Sequence, residues 1–470
     1  MQAKALILAA GAGTRMKSEK PKVAHEVLGK PLVRWVVDAA HDAGIEDVIT
    51  VVGHLREQVE PLVADDTAIV LQEQRRGTAD AVEAARSALT GEDGSIAEGS
   101  LVVLSGDCPL VTPETISALI RKREEEDAAV VVLTMKLDDP FGYGRIVRAG
   151  EGDDVARIVE QKDCNAEEAA ITECNAGFYC FDAPALFDAL TRVSDDNAQG
   201  EYYLTDVLEI CRNDGRKVLA LQTADPEEAM GINSRRQLAQ ATRAMQHRIN
   251  GRHLDNGVTM LDPDTVWIGP DVEIAQDVEL LPMTMLWGKT RIGKNSVIGP
   301  NARLTDTVVG EGCVIDETVA IEAVIDDGAT SGPRAYLRPG THLCRNAKVG
   351  THVEIKKSTI GEGSKVPHLS YIGDTTMGAG VNIGAGSITC NYDGVSKHKT
   401  VIGDNVFVGS DTMMVAPLTI GDGAMVGASS CITRDVAADA LALERCEQRE
   451  IAGWASKHMA KLRAKKEAGE

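Results

Sequence analysis

The chain has 470 residues, which exceeds what one hydrophobic core usually serves and suggests two or three domains. Its 71 acidic residues against 49 Lys and Arg give a formal net charge of −22, which argues against a nucleic-acid binder. The ten cysteines stand singly, with neither a C-x-x-C pair nor a Cys/His metal spacing. Residues 5–13 are too short and too rich in glycine for a signal peptide, and no segment approaches the roughly 20 apolar residues that span a bilayer. We therefore expect a cytoplasmic protein with reduced thiols and no membrane insertion.

The chain opens on a pattern typical of phosphate binding. The apolar run from Leu6 to Leu8 predicts a buried strand that stops at a loop of small residues. Small residues let backbone N–H groups approach a ligand phosphate, and Arg15 and Lys22 add positive charge nearby. The loop comprises Ala9, Ala10, Gly11, Ala12 and Gly13; Leu8 precedes it and Thr14 follows it. The alternatives are a structural turn and two solvated surface cations.

Two common phosphate motifs do not match this loop. Met16 stands where the dinucleotide fingerprint needs its third glycine, and the second predicted strand, 47–52, is followed by Gly53 instead of an acidic residue. The P-loop pattern of glycines followed by Lys and Ser or Thr is also missing from this segment. The pattern that remains, G-x-G-T-R-M…P-K, resembles the signature of the sugar-phosphate nucleotidyltransferases.

Strand-like and helix-like segments alternate over residues 1–228, the first predicted domain. Helical periodicity occurs in 31–43, 78–89, 113–123 and 201–213, and apolar runs occur in 48–52, 68–71, 101–104 and 129–133. Alternation of this kind predicts an α/β Rossmann-like domain, with a mainly parallel sheet and helices on both faces. Ligands of such sheets bind beyond the carboxyl ends of the strands.

A connecting helix is predicted over 234–250, within a helical linker of residues 229–251. Ser234 and Gln237 have the spacing of a capping box at its start, and Gly251 is expected to end it.

After this helix the sequence repeats every six residues. An aliphatic residue precedes glycine at Ile268, Ile292, Ile298, Ile360, Ile372, Ile402, Val408, Ile420 and Val426, and within each block the intervals are 6, 12 or 24 residues. Sixfold repetition predicts a stacked parallel β-helix for residues 252–470, whose coils bury their aliphatic residues against one another. The repeat resembles the left-handed hexapeptide-repeat acyltransferases, and this likeness, not the spacing, sets the expected hand. The interval of 19 between 383 and 402 does not fit the coil, so part of 384–400 should loop out and carry function.

The two halves in this order resemble the bacterial bifunctional N-acetylglucosamine-1-phosphate uridylyltransferase / glucosamine-1-phosphate N-acetyltransferase family. The most specific motifs are GTADA at 77–81, SGDCPL at 105–110, GYGR at 142–145, GEYYLTD at 200–206, LRPG at 337–340, VEIKKS at 353–358 and CNYDG at 390–394. The resemblance implies synthesis of UDP-N-acetylglucosamine in two steps. Glucosamine-1-phosphate is acetylated first by acetyl-CoA, and N-acetylglucosamine-1-phosphate then receives a uridylyl group from UTP.

For the uridylyl site, the resemblance implies a Mg²⁺ ion held by Asp107 and Asn233. Asp107 ends the predicted strand 101–104, where a carboxylate can hold the ion against nucleotide phosphates. Either residue could instead serve only a turn. Arg15 and Lys22 would be catalytic, since they neutralise charge on the α-phosphate during attack by the sugar phosphate. The remaining implied contacts are Leu8, Ala9, Ala10, Gly11, Ser105 and Gly106 around the phosphates, Gln72, Gly77 and Thr78 at the uracil, and Gly144, Glu160 and Asn175 at the sugar.

For acetyl transfer, His368 is the predicted base, because imidazole titrates near working pH. A structural role is the alternative for a single histidine, and Glu354 is expected either to orient His368 or to form a surface ion pair. The family likeness implies direct attack of the amine on the thioester, and Cys390 is expected to be a packed thiol. The implied sugar-phosphate contacts are Arg338, Lys356, Tyr371, Asn382 and Lys397, and the implied acetyl-CoA contacts are Ala385, Asn391, Tyr392, Ser410, Ala428 and Arg445.

The sequence departs from the family pattern at two positions. Ala176 stands where the family has Thr, and Tyr336 stands where it has Arg.

The resemblance to hexapeptide-repeat acyltransferases implies a homotrimer with acetyl-transfer sites between subunits. The alternatives are a single nucleotidyltransferase activity with the coil as a scaffold, and a non-catalytic assembly subunit. The tail beyond Arg445, with its basic end at 457–466, is expected to be a solvated helix or to attract the phosphates of the coenzyme.

Overall fold

The computed structural model describes residues 3–11 and 13–468. Its contacts divide the chain into two compact units. The first runs to Arg252 and takes in Ile268–Pro270, and the second comprises His253–Trp267 and the chain from Asp271 onward. The domain boundaries at 228 and 251 stay a prediction.

The first unit contains a twisted sheet flanked by helices. Its strands are β1 (Lys4–Leu8), β2 (Glu26–Val27), β3 (Lys30–Pro31), β4 (Asp47–Val52), β5 (Ala68–Leu71), β6 (Ser100–Ser105), β7 (Val130–Lys136), β8 (Arg145–Arg148), β9 (Val155–Val159), β10 (Glu173–Asp182) and β11 (Val218–Gln222). Its helices are α1 (Leu32–Asp42), α2 (Arg56–Val59), α3 (Thr78–Ala84), α4 (Arg86–Leu89), α5 (Pro113–Glu125), α6 (Ala166–Ala169), α7 (Ala183–Leu190) and α8 (Asp206–Asn213). Helix α9 (Arg235–Asp255) begins in this unit, and its residues from His253 onward belong to the second.

The main sheet has the order β11-β7-β10-β6-β1-β4-β5 and is parallel except at β10, which runs antiparallel to both neighbours. Side chains alternate along β1, so that Leu6 joins one hydrophobic cluster while Ala5 and Ile7 join the other. Helices α3, α7 and α8 contribute to the first cluster and α1 and α5 to the other, so the prediction of a mainly parallel sheet with helices on both faces is confirmed. Strand β10 and the β8–β9 hairpin were not predicted from the sequence, because they pair antiparallel whereas the prediction rested on the βα alternation of a parallel sheet.

Helix α8 begins later than the periodicity of 201–213 predicts. The backbone of 202–204 is bonded to residues 76–79 instead: Tyr202 N donates to Arg76 O at 2.7 Å, and Ala79 N donates to Tyr202 O at 3.0 Å. These bonds hold the segment extended, so the helix starts only at Asp206.

Helix α9 starts where predicted but does not end at Gly251. Ser234 Oγ accepts a hydrogen bond from Gln237 N at 3.3 Å, while the Gln237 side chain accepts from Asn233 N at 2.9 Å, one residue before the capping-box position. The helix runs through Gly251 to Asp255 and ends at Gly257, whose φ is +88°. Val258 N donates to His253 O and Gly257 N donates to Leu254 O, both at 3.0 Å, which is a Schellman motif. The predicted stop at Gly251 was wrong because Gly257 supplies the left-handed residue that this motif needs.

The second unit is a left-handed parallel β-helix with three sheets, and every repeat position predicted to be buried is buried. The first sheet comprises Thr259–Met260, Glu279–Leu280, Val297–Ile298, Val314–Ile315, Thr330–Ser331, Lys348–Thr351, Lys365–His368, Asn382–Ile383, Phe407–Val408, Met425–Val426 and Leu441–Ala442. The second comprises Trp267–Ile268, Met285–Trp287, Arg303–Thr305, Val319–Ile321, Tyr336–Leu337, Glu354–Lys356, Tyr371–Gly373, Ile388–Cys390, Met413–Val415 and Cys431–Ile432. The third comprises Glu273–Ile274, Arg291–Ile292, Val308–Val309, Val324–Ile325, His342–Leu343, Thr359–Ile360, Thr375–Met377, Thr400–Ile402 and Leu418–Ile420.

Residues 391–399 leave the coil, which confirms that part of 384–400 loops out. Tyr392 and Lys397 form a bridge within this loop. After the coil, the described tail contains helix α10 (Trp454–Glu467), whose residues are all exposed. No helix in the described ranges has both the length and the apolar character needed to cross a membrane.

Candidate active sites

The predicted phosphate loop lies at the carboxyl end of β1, between β4 and β6. Ala9 N donates to Val51 O at 2.8 Å, so this amide continues the sheet and is not free for a ligand. Gly106 N, at the end of β6, donates to Leu8 O at 3.0 Å. The loop then turns through Gly13 (φ +61°) into a short 3₁₀ turn that carries the exposed Arg15. Ala12 lies outside the described residues.

Lys22, Asp107 and Asn233 meet at this edge of the sheet. The Lys22 ammonium donates to Asp107 Oδ2 and, at 3.0 Å, to Asn233 Oδ1. The side chains of Lys22 and Asp107 are only 15% and 13% exposed, so the contact is largely shielded from solvent. A carboxylate oxygen and an amide oxygen from distant parts of the chain therefore point at one cationic atom.

The residues predicted to contact uracil lie together at the start of α3. Gln72 is buried and its amide nitrogen donates to Gly77 O at 3.2 Å and to Asp80 Oδ2 at 2.9 Å. Thr78 Oγ1 accepts from Leu204 N at 3.0 Å. Gly77 has φ +133°, and a Cβ there would overlap the backbone of Tyr202, so only glycine fits this position.

The predicted sugar contacts also form one cluster. A Cβ on Gly144 would lie 3.5 Å from Glu160 Oε1 and 3.6 Å from Asn175 Cβ, and it would meet the Ile158 side chain at 2.9 Å. Burial raises the pKa of Glu160, although a hydrogen bond from Thr205 Oγ1 at 3.3 Å opposes the shift. Asn175 Nδ2 donates to the buried Tyr179 hydroxyl at 2.7 Å. Thr205 and Tyr179 were not predicted from the sequence, because Thr205 bonds to a residue 45 positions away and Tyr179 lies with Asn175 in the unpredicted strand β10.

In the second unit, several predicted sugar-phosphate contacts line the second sheet. Register places Tyr336, Glu354 and Tyr371 in one column on successive coils. Glu354 Oε1 accepts from Arg338 at 2.8 Å, so the ion pair expected for Glu354 forms with this arginine instead of a lysine. The role of Glu354 in orienting His368 stays a prediction.

Asp374 links three of the neighbouring residues and was missed from the sequence. It accepts from Lys356 Nζ at 2.9 Å and also from Asn391 Nδ2, whose nitrogen lies 3.4 Å from the Tyr371 hydroxyl. Burial acts to raise the pKa of Asp374, but the bonds from Lys356 and Asn391 outweigh it and lower the pKa overall. The carboxylate thus stays charged and fixes Lys356. Asp374 lies at the corner between the strands Tyr371–Gly373 and Thr375–Met377, and the sequence gave no signal that distinguished it from the other corner residues.

His368 and Asn382 lie on neighbouring coils of the first sheet, where Lys365 pairs with Asn382. The His368 side chain is exposed. In the 391–399 loop, Lys397 Nζ lies 4.0 Å from the centre of the Tyr392 ring, which is a cation–π contact.

The predicted acetyl-CoA contacts Ala385, Ser410 and Ala428 stack at one corner of successive coils. Asp411 N donates to Ala385 O at 2.7 Å, and Ser429 N donates to Ser410 O at 2.8 Å. Arg445 reaches the same corner, with Nη1 3.4 Å from Ala428 O. Ser410 and Ala428 are exposed, and Ala385 is half-buried.

Burial raises the pKa of the Cys390 thiol, and no disulfide joins the cysteines of the described chain. A raised thiol pKa disfavours the thiolate that a nucleophile needs, which agrees with the expectation of a packed thiol.

Family comparisons agree with this architecture. A MobA-like NTP transferase domain matches residues 5–199, a hexapeptide repeat of succinyl-transferase matches 289–323, and six repeats of the bacterial transferase hexapeptide match 399–434. The fold and the two groups of side chains thus define a nucleotidyltransferase joined to a hexapeptide-repeat transferase.

Relatives match this chain over almost its full length. The Bifunctional protein GlmU of Caldanaerobacter subterraneus subsp. tengcongensis is 47% identical over 458 residues, covering 97% of this chain and 98% of the relative. That of Heliobacterium modesticaldum is 49% identical over 441 residues, covering 94% and 95%. That of Corynebacterium aurimucosum is 47% identical over 460 residues, covering 96% and 93%.

The chain belongs to the GlmU family of bifunctional proteins. It is an enzyme with a nucleotidyltransferase and an acetyltransferase activity that together make UDP-N-acetylglucosamine. The alternatives of a single activity and of a non-catalytic subunit are therefore set aside.

Proposed function

We propose that the second unit acetylates glucosamine-1-phosphate with acetyl-CoA and that the first unit then transfers a uridylyl group from UTP to the product. In the first step the amine nitrogen bonds to the thioester carbonyl carbon, the C–S bond breaks, and coenzyme A leaves as the thiol. In the second, a phosphate oxygen of N-acetylglucosamine-1-phosphate bonds to the α-phosphorus of UTP and pyrophosphate leaves. The residues proposed for acetyl transfer belong to the second unit, and those proposed for uridylyl transfer belong to the first.

The convergence of Lys22, Asp107 and Asn233 supports the uridylyl site most directly. Two oxygen atoms that share one ammonium are also suitably placed to share a metal ion, and carboxylate and amide oxygens are donors that Mg²⁺ prefers. Asp107 and Asn233 would hold Mg²⁺, which when bound supplies positive charge to the nucleotide phosphates. Lys22 would then turn from Asp107 to the α-phosphate, where it and Arg15 neutralise the charge that develops during attack.

The buried cluster of Gly144, Glu160 and Asn175 would hold the N-acetylglucosamine group. The absence of a side chain on Gly144 leaves room against Ile158, and the Glu160 carboxylate lies at the same point. Gln72 would meet the uracil through its carbonyl oxygen, because its amide nitrogen is already bonded to Gly77 and Asp80. The small residues from Leu8 to Gly11, with Ser105 and Gly106, would accommodate the phosphates.

For acetyl transfer, we assign His368 as the base that accepts the amine proton. Its imidazole is exposed and is therefore accessible to a bound substrate. Arg338, Lys356 and Lys397 would supply positive charge to the sugar phosphate, with Asp374 as a positioning residue for Lys356. Asn382 and Tyr371 would complete the sugar contacts.

Acetyl-CoA would lie along the column of Ala385, Ser410 and Ala428, with Arg445 near its phosphates and with Asn391 and Tyr392 at the thioester end. We also infer a homotrimer in the cytoplasm, on the strength of the hexapeptide repeats and the absence of disulfides and membrane-spanning helices among the described residues.

The first test measures both half-reactions on the same preparation. Thiol release from acetyl-CoA on addition of glucosamine-1-phosphate reports the second unit, and Mg²⁺-dependent pyrophosphate release from UTP and N-acetylglucosamine-1-phosphate reports the first. His368→Asn should lower thiol release by about 10²- to 10⁴-fold and leave pyrophosphate release unchanged, as expected for loss of a general base.

His352→Asn is the matched control, since His352 is an exposed histidine at the corner of the preceding coil. Equal thiol release from the parent and the His368 variant would refute the assignment of the base. If the folded parent released no thiol, the proposal that acetyl-CoA is the acetyl donor would be refuted.

A further inference from the structure

Two neighbouring coils of the β-helix bring together three potential metal ligands that the proposed reactions do not use. The imidazole of His342, the thiol of Cys344 and the carboxylate of Asp326 have ligand atoms that all lie within 4.8 Å of one another. His342 Nε2 is 2.9 Å from Asp326 Oδ2. All three residues are half-buried, so a cation from solvent can reach them.

The period of the strand and the register of the coils create this cluster. His342 and Cys344 flank Leu343, which is fully buried, so alternation directs both side chains away from the core. In the neighbouring coil Val324 pairs with His342 and Ile325 with Leu343, which brings Asp326 opposite Cys344. The cluster lies on the third sheet, whereas the proposed sugar-phosphate contacts Lys356 and Tyr371 lie on the second.

The donor set selects one class of ion. We propose that Asp326, His342 and Cys344 bind a transition-metal dication of the zinc class and thereby join two coils of the β-helix. Nitrogen, sulfur and carboxylate oxygen together suit Zn²⁺ or Co²⁺, whereas Mg²⁺ and Ca²⁺ prefer oxygen alone. Zinc-class ligands lie about 2 Å from the ion, so small side-chain rotations bring all three atoms onto it and leave one tetrahedral position for water.

The local charge favours a cation at this point. The Asp326 carboxylate places a negative charge within the cluster. A bound dication would offset this charge, and the cysteine would bind the metal as its thiolate.

Sequence spacing alone did not reveal this site. His342-x-Cys344 is too short for the familiar zinc motifs, and Asp326 is contributed by the preceding coil. Asp326 comes close to His342 and Cys344 only because neighbouring coils stack on each other.

The experiment titrates Co²⁺ into the full chain after treatment with a chelator. The parent should show thiolate-to-cobalt charge-transfer absorption and the visible bands of a tetrahedral site, and added Zn²⁺ but not Mg²⁺ should displace them. Cys344→Ser should abolish the charge-transfer absorption, and His342→Gln and Asp326→Asn should each weaken Co²⁺ binding by about 10- to 100-fold. Zn²⁺ should raise the thermal midpoint of the parent but not of Cys344→Ser.

Cys431→Ser provides the matched control, because Cys431 is exposed and lies outside the cluster. Circular dichroism of each metal-free variant checks its fold, and the three single variants sample the site independently. Absorption that is absent from the parent, persists in Cys344→Ser or disappears in Cys431→Ser would overturn the proposal.

Discussion

The two candidate sites are built in opposite ways. In the first unit, Lys22, Asp107 and Asn233 come from distant segments and meet in a largely shielded network at the carboxyl ends of parallel strands. In the second unit, the pair Arg338 and Glu354 lies on successive coils, with both side chains about 40% exposed. The difference teaches that an α/β sheet makes a site by convergence, whereas a β-helix makes one by stacking outward residues over an independent core. Substitutions should therefore perturb function and stability together in the first unit and separately in the second.

The largest effect should come from the shielded network of the first unit. Asp107→Asn should lower the rate of pyrophosphate release by about 10²- to 10³-fold, because it removes the charge that balances Lys22 and the proposed magnesium ligand. Thiol release should be unchanged, since the residues proposed for acetyl transfer belong to the second unit. Asp66→Asn, which breaks an ion pair with Arg34 in the same unit, serves as the control. An equal fall in both half-reactions would instead indicate general unfolding.

Substitution of Gly77 tests how closely two segments distant in sequence pack against each other in the first unit. Gly77→Ala should lower the free energy of unfolding by about 2–5 kcal/mol, since its backbone conformation is confined to glycine and the Cβ would overlap Tyr202. Urea denaturation measures the loss. Gly29→Ala is a matched control with φ +83° but open space around the Cβ, and it should cost only about 1–2 kcal/mol. Similar losses for both variants would show that the contact with Tyr202 is not tight.

Substitution of Arg338 tests whether an outward residue of the β-helix can affect substrate binding without affecting stability. Arg338→Gln should raise KM for glucosamine-1-phosphate by about tenfold, as for one lost charged contact, while the thermal midpoint stays within about 1–2 °C of the parent. Arg291→Gln removes a comparable exposed pair, with Glu273, on the third sheet and should change neither quantity. A large fall in the thermal midpoint of Arg338→Gln would contradict the expectation that substitutions in the second unit change function without changing stability.

The smallest effect concerns pH and the first unit alone. Burial first, then Glu209 and Asp163, raise the pKa of Asp206 from 3.8 to about 6. Between about pH 4 and pH 6 the unfolded chain loses this proton before the folded chain does, so the group costs stability as pH rises and the cost persists above that range. Asp206→Asn should raise the thermal midpoint at about pH 8 and change it little below about pH 4.

Asp214→Asn is the control of opposite sign. A hydrogen bond from Arg192 lowers the pKa of Asp214, so this carboxylate contributes stability above its unfolded pKa that is lost in acid. The variant should lower the thermal midpoint near neutral pH. If both variants changed the thermal midpoint near neutral pH in the same direction, the cause assigned to the raised pKa of Asp206 would be contradicted.

The sequence by itself determined the repeating architecture of the second unit and much of the first. Each aliphatic repeat position from Ile268 to Val426 is buried, because every coil imposes the same inward position. Strand β4 spans the predicted residues 47–52, since an apolar run in a parallel sheet carries its own signal. The family motifs likewise pointed to Gly144, Glu160 and Asn175, which the fold brings together.

Only the tertiary structure decided features that depend on partners distant in sequence. The antiparallel strand β10 and the delayed start of α8 follow from pairing with β6 and β7 and with residues 76–79. The partners Asp374 and Thr205, and the cluster of Asp326 with His342 and Cys344, likewise arise from register and packing. Helix α9 passes Gly251 because the Schellman motif forms at Gly257. Local periodicity fixes which residues face inward, but a side chain's partner is fixed only when remote segments pack against it.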